Sequence, residues 1–442
     1  MNPVLSYLKG FSKKPQPINC MTDKIMLWAD MYENNAPWIV DEVTGLNLPA
    51  AIAAEFARLV TIEIDTFISG SERAGYLNSI YEEVIDKVRN FTEIACAKGA
   101  IVLKPYVKNG SISIDYIHPE DFLPIEFDGN GKITAAAFCD RIYKKDKVYT
   151  RVEEHRLSEK YSISNRAFVS ATTSELGREI SLHDVEEWSE IEPYTEISGI
   201  KKPLFAYFKM PFSNVFDADS PIGVSVYARA VDLIKDADMQ YARMLWEFES
   251  GKRALFIDES ALTRDKLGRK IIPDSRLYRM LSTEDDTLFK DWTPTLRFND
   301  INDGLNRILR GIEFNTGLAY GTISDAGQFE RTAEEIRASM QRSYAMVSDI
   351  QRALKNALKE LVEAMDIWCS IYGLAPEGEY SISFDFDDSI IADRTIEFGE
   401  KMRILNAGIM MPWEFRMWYF GEDEECAKRA VSAGFVRMEE EE

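Results

Sequence analysis

SPIGVSVYARAVDLIKDADMQYARMLWEFESG (Ser220–Gly251) places apolar residues at Tyr227, Val231, Ile234, Ala237, Tyr241, Leu245 and Phe248. This three-and-four spacing lays a stripe along one face of an α-helix. Ser220-Pro221 is a start signal, a capping hydroxyl followed by proline at the first helical position, and Gly251 is a stop able to take positive φ. The stripe needs a partner. Beyond a mixed insertion, Lys252 to Arg297, a second amphipathic run of Ile301, Leu305, Ile308, Leu309 and Ile312 is spaced to return antiparallel to the first. The expected unit is a helical rod with an insertion at its tip.

Upstream, Asp23–Tyr32 has helical spacing within a loosely helical arm, and Asn34-Asn35-Ala36-Pro37 breaks it. Leu46–Ile64 reads as an amphipathic helix running into a short extended piece, and Tyr76–Cys96 as a second helix. From Gly99 to Val169 the period becomes that of strands, divided by Asn109-Gly110, Asp128-Gly129-Asn130-Gly131 and Lys145-Asp146. This predicts an antiparallel meander, with Pro119 and Pro124 at irregular crossing points. Ala171–Asp219 is polar, with short strands at best. Downstream, Thr316–Arg331 carries three glycines and no period, so it reads as a loop. Thr332-x-x-Glu335 is a capping-box signal opening a helix of more than 30 residues with Ile336, Met340, Val347, Ile350, Leu354, Leu358, Leu361, Met365 and Trp368 on one face. Ser381–Ile390 is extended, and two short helices near 394–405 and 412–419 lead to an acidic tail. Helices mixed with antiparallel strands make the fold class α+β.

At 442 residues, 45% hydrophobic and 12% aromatic, the chain is a folded protein of two or three packed domains. No apolar run approaches the ~20 residues that cross a bilayer, and the first residues lack a secretory signal, which together predict a cytosolic chain without membrane partners. Cys20, Cys96, Cys139, Cys369 and Cys426 have neither disulfide nor zinc spacing and read as small buried hydrophobes. With 52 basic against 74 acidic residues, the net charge is −22, ending in Glu439–Glu442. Such a chain does not wrap duplex DNA by neutralising phosphates, and solubility alone accounts for the acidity equally well.

Signals for chemistry are sparse. Gly129-Asn130-Gly131-Lys132 is followed by Ile133 between strands, a hairpin turn rather than a phosphate cradle. His118, His155 and His183 are far apart in sequence and no G-x-S-x-G elbow is present. Asp385, Asp387 and Asp388 could collect a hard cation, as in a metal-dependent nuclease, but Asp385 and Asp387 alternating with Phe384 and Phe386 equally describe a half-buried strand. The insertion is locally basic, with Lys252, Arg253, Arg264, Lys266, Arg269, Lys270, Arg276 and Arg279 against four acidic residues between 252 and 279. A docking surface and a solvated hairpin are both compatible with that pattern.

Taken together, Ser220–Ile257, Gly317–Leu358 and Phe384–Val431, in the order helix, tip insertion, helix, glycine-rich loop, long helix, resemble the portal proteins of tailed bacteriophages. The likeness is to the branch common in long-tailed phages and prophages of Gram-positive hosts, and it covers nearly the whole chain. It implies a portal fold divided into an N-terminal arm (1–45), a wing of helices and strands (46–219), a first stem helix (220–251), a small α/β clip (252–297), a second stem helix (298–315), a channel-region loop (316–331), a long wing-to-crown helix (332–370), and a C-terminal strand with a short helical crown and acidic tail (371–442). It implies a homo-oligomeric ring, usually of twelve copies, at one capsid vertex of the virion, assembled in the host cytoplasm, through which double-stranded DNA passes non-specifically. Its partners are then the terminase large subunit, the head-to-tail adaptor, the major capsid protein and the scaffold. No catalytic residue, metal or cofactor is implied. On this mapping the basic insertion faces terminase and adaptor, while Lys235, Arg307 and Arg310 are candidate cations of an otherwise repulsive channel wall or, equally, of salt bridges between subunits. A metal-dependent nuclease or other enzyme built on Asp385, Asp387 and Asp388, and another ring-forming virion structural protein, are the alternatives.

Overall fold

The structure, a computed structural model, describes residues 18–40, 43–62, 64–173, 175–218, 220–258, 278–281, 289–325, 333–386 and 394–439. The chain opens with α1 (Ile18–Tyr32), α2 (Leu48–Thr61), β1 (Ile64–Gly70), α3 (Glu72–Ile85) and α4 (Val88–Lys98). Nine strands follow among the described residues: β2 (Ala100–Lys108), β3 (Ser111–Ile117), β4 (Phe122–Phe127), β5 (Ile133–Lys144), β6 (Lys147–Leu157), β7 (Tyr161–Ser170), β8 (Arg178–Ile180), β9 (Tyr194–Ile197) and β10 (Ala206–Lys209). Next come α5 (Val231–Ser250), β11 (Ala254–Asp258), β12 (Tyr278–Leu281), β13 (Phe289–Trp292) and α6 (Phe298–Thr316). The chain finishes with α7 (Ala333–Tyr372), β14 (Tyr380–Phe386), α8 (Arg394–Asn406), α9 (Pro412–Phe420) and α10 (Glu424–Glu439). It is an α+β protein in two compact units, Met1–Ile62 with Thr66–Phe384, and Glu63–Asp65 with Asp385–Glu442.

In the first unit the helix expected over Asp23–Tyr32 is present as α1 and packs in the core, while residues 1–17 of the expected arm lie outside the described residues. Met21, Trp28 and Met31 of α1 are buried, and the Tyr227 hydroxyl donates to the Trp28 carbonyl at 2.9 Å. The helix expected over Tyr76–Cys96 is two helices, α3 and α4, broken at Asp86-Lys87. α4 and α2 pack together, and α4 lies on β2 with Phe91 against Tyr116 of β3 and Phe208 of β10.

The strands form two sheets rather than one meander. β2 pairs with β3 across the two-residue turn Asn109-Gly110, where both residues take positive φ, and β10 closes the other edge of β2. After a single 3-10 turn at Pro119–Asp121 the chain enters the second sheet, β4-β5-β6-β7-β8, with β9 also on β7. Pro124 sits beside the irregular pairing of β4 with β5, as a residue without an N–H must. Val102, Phe122, Ile133, Ala136, Phe138 and Phe205 fill the space between the two sheets.

One buried polar network joins the sheets. Glu153 of β6 accepts from Lys104 of β2 at 2.8 Å, from His155 Nε2 at 2.6 Å and from Arg151 at 3.1 Å. His155 Nδ1 then faces the Tyr161 hydroxyl at 2.8 Å, which accepts the Leu204 N–H. Burial raises the Glu153 carboxyl, but Lys104 and the His155 hydrogen bond overcome it and hold the group well below 4.5. Burial pushes His155 below 6.5 against the pull of Glu153, so the imidazole is neutral in the fold.

α7, 40 residues long, packs on β2, β10 and α2 through Val347, Ile350, Leu354, Leu358, Leu361 and Met365. Its capping residue Thr332 lies outside the described residues. At its far end the buried Arg73 guanidinium donates to Asp366 at 2.7 Å and to the Ala375 and Pro376 carbonyls, tying α3 to the end of α7 and the turn that follows it. In the second unit Phe398, Phe415, Trp418 and Tyr419 make a ring cluster between α8 and α9, with Phe415 and Tyr419 stacked at 5.9 Å. Among the described residues no helix is long and apolar enough to cross a membrane.

Glu153→Gln strands Lys104 and Arg151 and lowers the unfolding free energy in urea by about 3–5 kcal/mol. Glu196→Gln, at the exposed Lys160 pair, leaves it nearly unchanged. In the unfolded chain His155 takes up a proton below pH 6.5 and Glu153 below 4.5, each before its folded counterpart. Stability of the wild type therefore falls as pH drops below about 6.5 and falls further below 4.5, a profile read by unfolding across pH.

Candidate functional site

α5 and α6 pair antiparallel. Leu233 lies against Gly311, Gln240 against Gly304, and Glu247 against Arg297, a step of seven residues along each helix. That is the heptad step of two helices holding one seam in contact. Gln240 also donates to the Ile301 carbonyl at 3.3 Å, and Phe248 meets Phe298 at 5.4 Å near the tip.

The pair is fixed where the insertion leaves and returns. Glu247, in the last turn of α5, accepts from the Arg297 guanidinium at 2.8 Å and from the Arg297 N–H at 3.0 Å. It therefore caps the start of α6 from the end of α5. The Arg297 hydrogen bonds hold the Glu247 carboxyl below its ordinary range. Gly251 ends α5 at φ −81°, not at the positive φ expected, and its missing side chain leaves room for Leu296.

The root of the pair is tied to the body by carboxylates as well. Buried Asp238 accepts from Trp38 Nε1 and from the Leu46 N–H, both at 2.8 Å. Fully buried Glu313, in the last turn of α6, takes three backbone donors on one oxygen, the N–H groups of Gly321 (2.9 Å), Ile323 (2.8 Å) and Ser324 (3.0 Å). Its other oxygen accepts the Ser324 hydroxyl at 2.8 Å. Asn306, one heptad earlier on α6, accepts the Asp325 N–H at 2.8 Å. Gly321 has φ +87°, which lets successive N–H groups converge on one anion. On the other side, Arg342 of α7 stacks over Phe314 and Tyr320 at 4.8 and 5.4 Å.

Apolar cover is uneven along the pair. Tyr227, Ile234 and Ala237 are buried at the root, while Leu245, Trp246, Phe248, Leu296 and Phe298 are exposed at the tip, Trp246 to 61%. Among the described residues the stripe expected from Tyr227 to Phe248 is thus buried in its first half and exposed at Leu245 and Phe248. α5 begins at Val231, eleven residues past Ser220. Residues 220–227 are not helical: Ser225 and Val226 bond the Cys96 carbonyl, and the Ser220 hydroxyl caps no helix. The second helix, by contrast, runs Phe298–Thr316 against an expected 298–315.

The insertion carries a small sheet in which β11 pairs parallel with β12 and antiparallel with β13. Lys252 and Arg253 are exposed, Lys252 against Glu249 at 2.5 Å and Arg253 against Asp291 at 2.8 Å. Arg279 falls on β12, and Arg264, Lys266, Arg269, Lys270 and Arg276 lie outside the described residues. Lys235 and Arg307 are exposed and Arg310 is half-buried. Asp385 is exposed on β14 with Phe384 and Phe386 on the other face, and Asp387 and Asp388 lie outside the described residues. Each histidine has a structural partner, His118 beside Lys98, His155 on Glu153 and His183 on the Ser189 carbonyl. Among the described residues no group of His, Cys, Asp or Glu is arranged to hold a metal ion. Cys96, Cys139 and Cys369 are buried thiols, whereas Cys426 is exposed.

A Cβ added at Gly311 meets Leu233 at 3.3 Å, so alanine fits with a small adjustment and leucine does not. Gly311→Leu destabilises the fold by about 1–3 kcal/mol through overpacking, measured by urea unfolding, while Asp303→Leu at an exposed position of the same helix stays within about 0.5 kcal/mol.

No curated protein matches the chain. The family described as phage portal protein, SPP1 Gp6-like, matches residues 22–411, which takes in α5, the insertion, α6, the glycine-rich loop and α7 and stops short of α9 and α10. With the match running through the helix pair and both elements that clasp its root, the chain belongs to that family of phage portal proteins, a structural component of the virion.

Proposed function

We propose that the chain is the subunit of a ring, of twelve copies on the family pattern, that sits at one capsid vertex and conducts double-stranded DNA during packaging and ejection. The family match over residues 22–411 carries this reading. On it, α5 and α6 are the stem, the β11–β13 insertion is the clip that meets the terminase large subunit and later the head-to-tail adaptor, and residues 316–331 border the channel. Major capsid protein and scaffold meet the outer parts of the ring, which assembles in the host cytoplasm.

Two features of the molecule support it. The exposed tip residues Leu245, Trp246, Phe248, Leu296 and Phe298 form an apolar flank that a neighbouring copy would cover. The exposed polar positions of the two helices carry Asp232, Asp236, Glu249, Asp300 and Asp303 against Lys235, Arg243 and Arg307. A wall with that balance repels phosphates and lets DNA slide, where a basic groove would hold it. Lys235, Arg307 and Arg310 serve either as sparse cations of that wall or as intersubunit partners of those carboxylates.

Negative-stain images of the purified chain are expected to show rings with a central hole, without nucleotide. Leu245→Glu combined with Trp246→Asp gives folded monomers by light scattering and circular dichroism, because two charges face the subunit contact. Deleting Asp258–Arg279 leaves rings but removes terminase binding in a pull-down. A wild-type chain that stays monomeric at micromolar concentration overturns the reading.

A further inference from the structure

The contacts of Glu313 are concentrated in a way that ordinary loop anchoring is not. Three N–H groups and one hydroxyl from Gly321, Ile323 and Ser324 all converge on one wholly buried carboxylate. Bonds from N–H groups to an ionised carboxylate are short and about twice as strong as neutral ones. A buried carboxylate stripped of its partners is strongly unfavourable, so the arrangement does not open by degrees. The loop's own turn, with Thr322 N–H and hydroxyl both on the Ala319 carbonyl, stiffens the piece that Glu313 holds. Asn306 on Asp325 N–H and Arg342 over Phe314 and Tyr320 add a hold on either side.

We propose that Glu313 is a positioning residue that couples the stem to the channel: it makes Gly317–Asp325 one rigid body with the end of α6. Any shift of α6 along or about its axis is then delivered undiminished to the chain leaving Asp325. The coupling rests on the reading of α6 as a stem helix and of residues 316–331 as the channel region. Glutamine could reproduce the pattern in outline, its oxygen taking the three N–H groups and its NH₂ donating to the Ser324 hydroxyl, so what the carboxylate adds is charge-assisted strength in each bond.

Amide hydrogen exchange on the assembled full-length chain tests the bond, and DNA content of heads built with the same variants tests its use. Glu313→Ala is expected to speed exchange at Gly321, Ile323 and Ser324 more than tenfold, with the amides of Leu305–Ile312 and Ile350–Val362 unchanged. Formate, a small carboxylate that fits the vacated site, restores part of the protection, and heads carrying the variant package less DNA although rings form. Ser324→Ala, which keeps the three backbone bonds, gives a smaller change in the same direction and serves where Glu313→Ala does not fold. Unchanged exchange at the three amides overturns the latch. Fast exchange with full packaging overturns the coupling and leaves Glu313 a local anchor, with the portal reading intact. Wild-type chains that form rings but support no packaging count against the portal reading instead.

Discussion

Two helices separated by a long insertion share one register only if something fixes their ends, and in this chain buried carboxylates do so. Glu247 joins the end of α5 to the start of α6, Asp238 joins α5 to the Trp38–Leu46 segment, and Glu313 joins the end of α6 to the loop beyond. Each meets N–H donors or a guanidinium, so desolvation is compensated at every one. A two-helix hairpin of this length is marginal in water by itself. Moving α5 by one residue would separate Glu247 and Asp238 from their donors together, and moving α6 would break the bonds of Glu247 to Arg297, which makes the register nearly all-or-none.

The same logic organises the body. Lys104 reaches from β2 to Glu153 on β6, and the His155–Tyr161–Leu204 chain continues the contact, so the two sheets are held by a charge network set among the rings of Phe138 and Phe205. A purely apolar interface of similar volume would be as stable or more so. What the network adds is a preferred alignment of the sheets, because a shift of β2 along β6 breaks the Lys104–Glu153 bond.

Much of this architecture was legible in the sequence, and the losses have a common cause. Period alone found the Ile301–Ile312 run that lies within α6 and the long helix α7, and turn residues located Asn109-Gly110 and Lys145-Asp146. Ser220-Pro221 carried a sound local start signal that tertiary bonding overrode: Ser225 and Val226 give their donors to Cys96, and the chain cannot be helical there at the same time. The Asp86-Lys87 break is invisible to a pattern in which Leu77, Tyr81, Val84, Val88 and Phe91 keep helical spacing straight through it. At the candidate site, Glu247, Asp238 and Glu313 do not stand out in the sequence because a carboxylate on a helix ordinarily faces water. A signal was present: Asp238 stands four residues after Ile234, and Asn306 and Glu313 each follow a buried residue of the stripe, Leu305 and Ile312, one heptad apart. Polar residues repeating on an apolar face are the mark of buried partners.

Burial along α5 also sets where the chain is complete and where it is not. The helix is about 30 Å long at 1.5 Å per residue. Its root half turns Ile234 and Ala237 into the body and against α6, whereas the half beyond Tyr241 packs chiefly on α6 among the described residues. One helix can cover roughly a third of another's circumference, so a stripe wider than that seam stays in water at the tip whatever the register. Trp246 cannot be brought under α6 without lifting Glu247 off Arg297, since adjacent positions on a helix point about 100° apart. The bond that fixes the register therefore also keeps the aromatic flank outward at the tip.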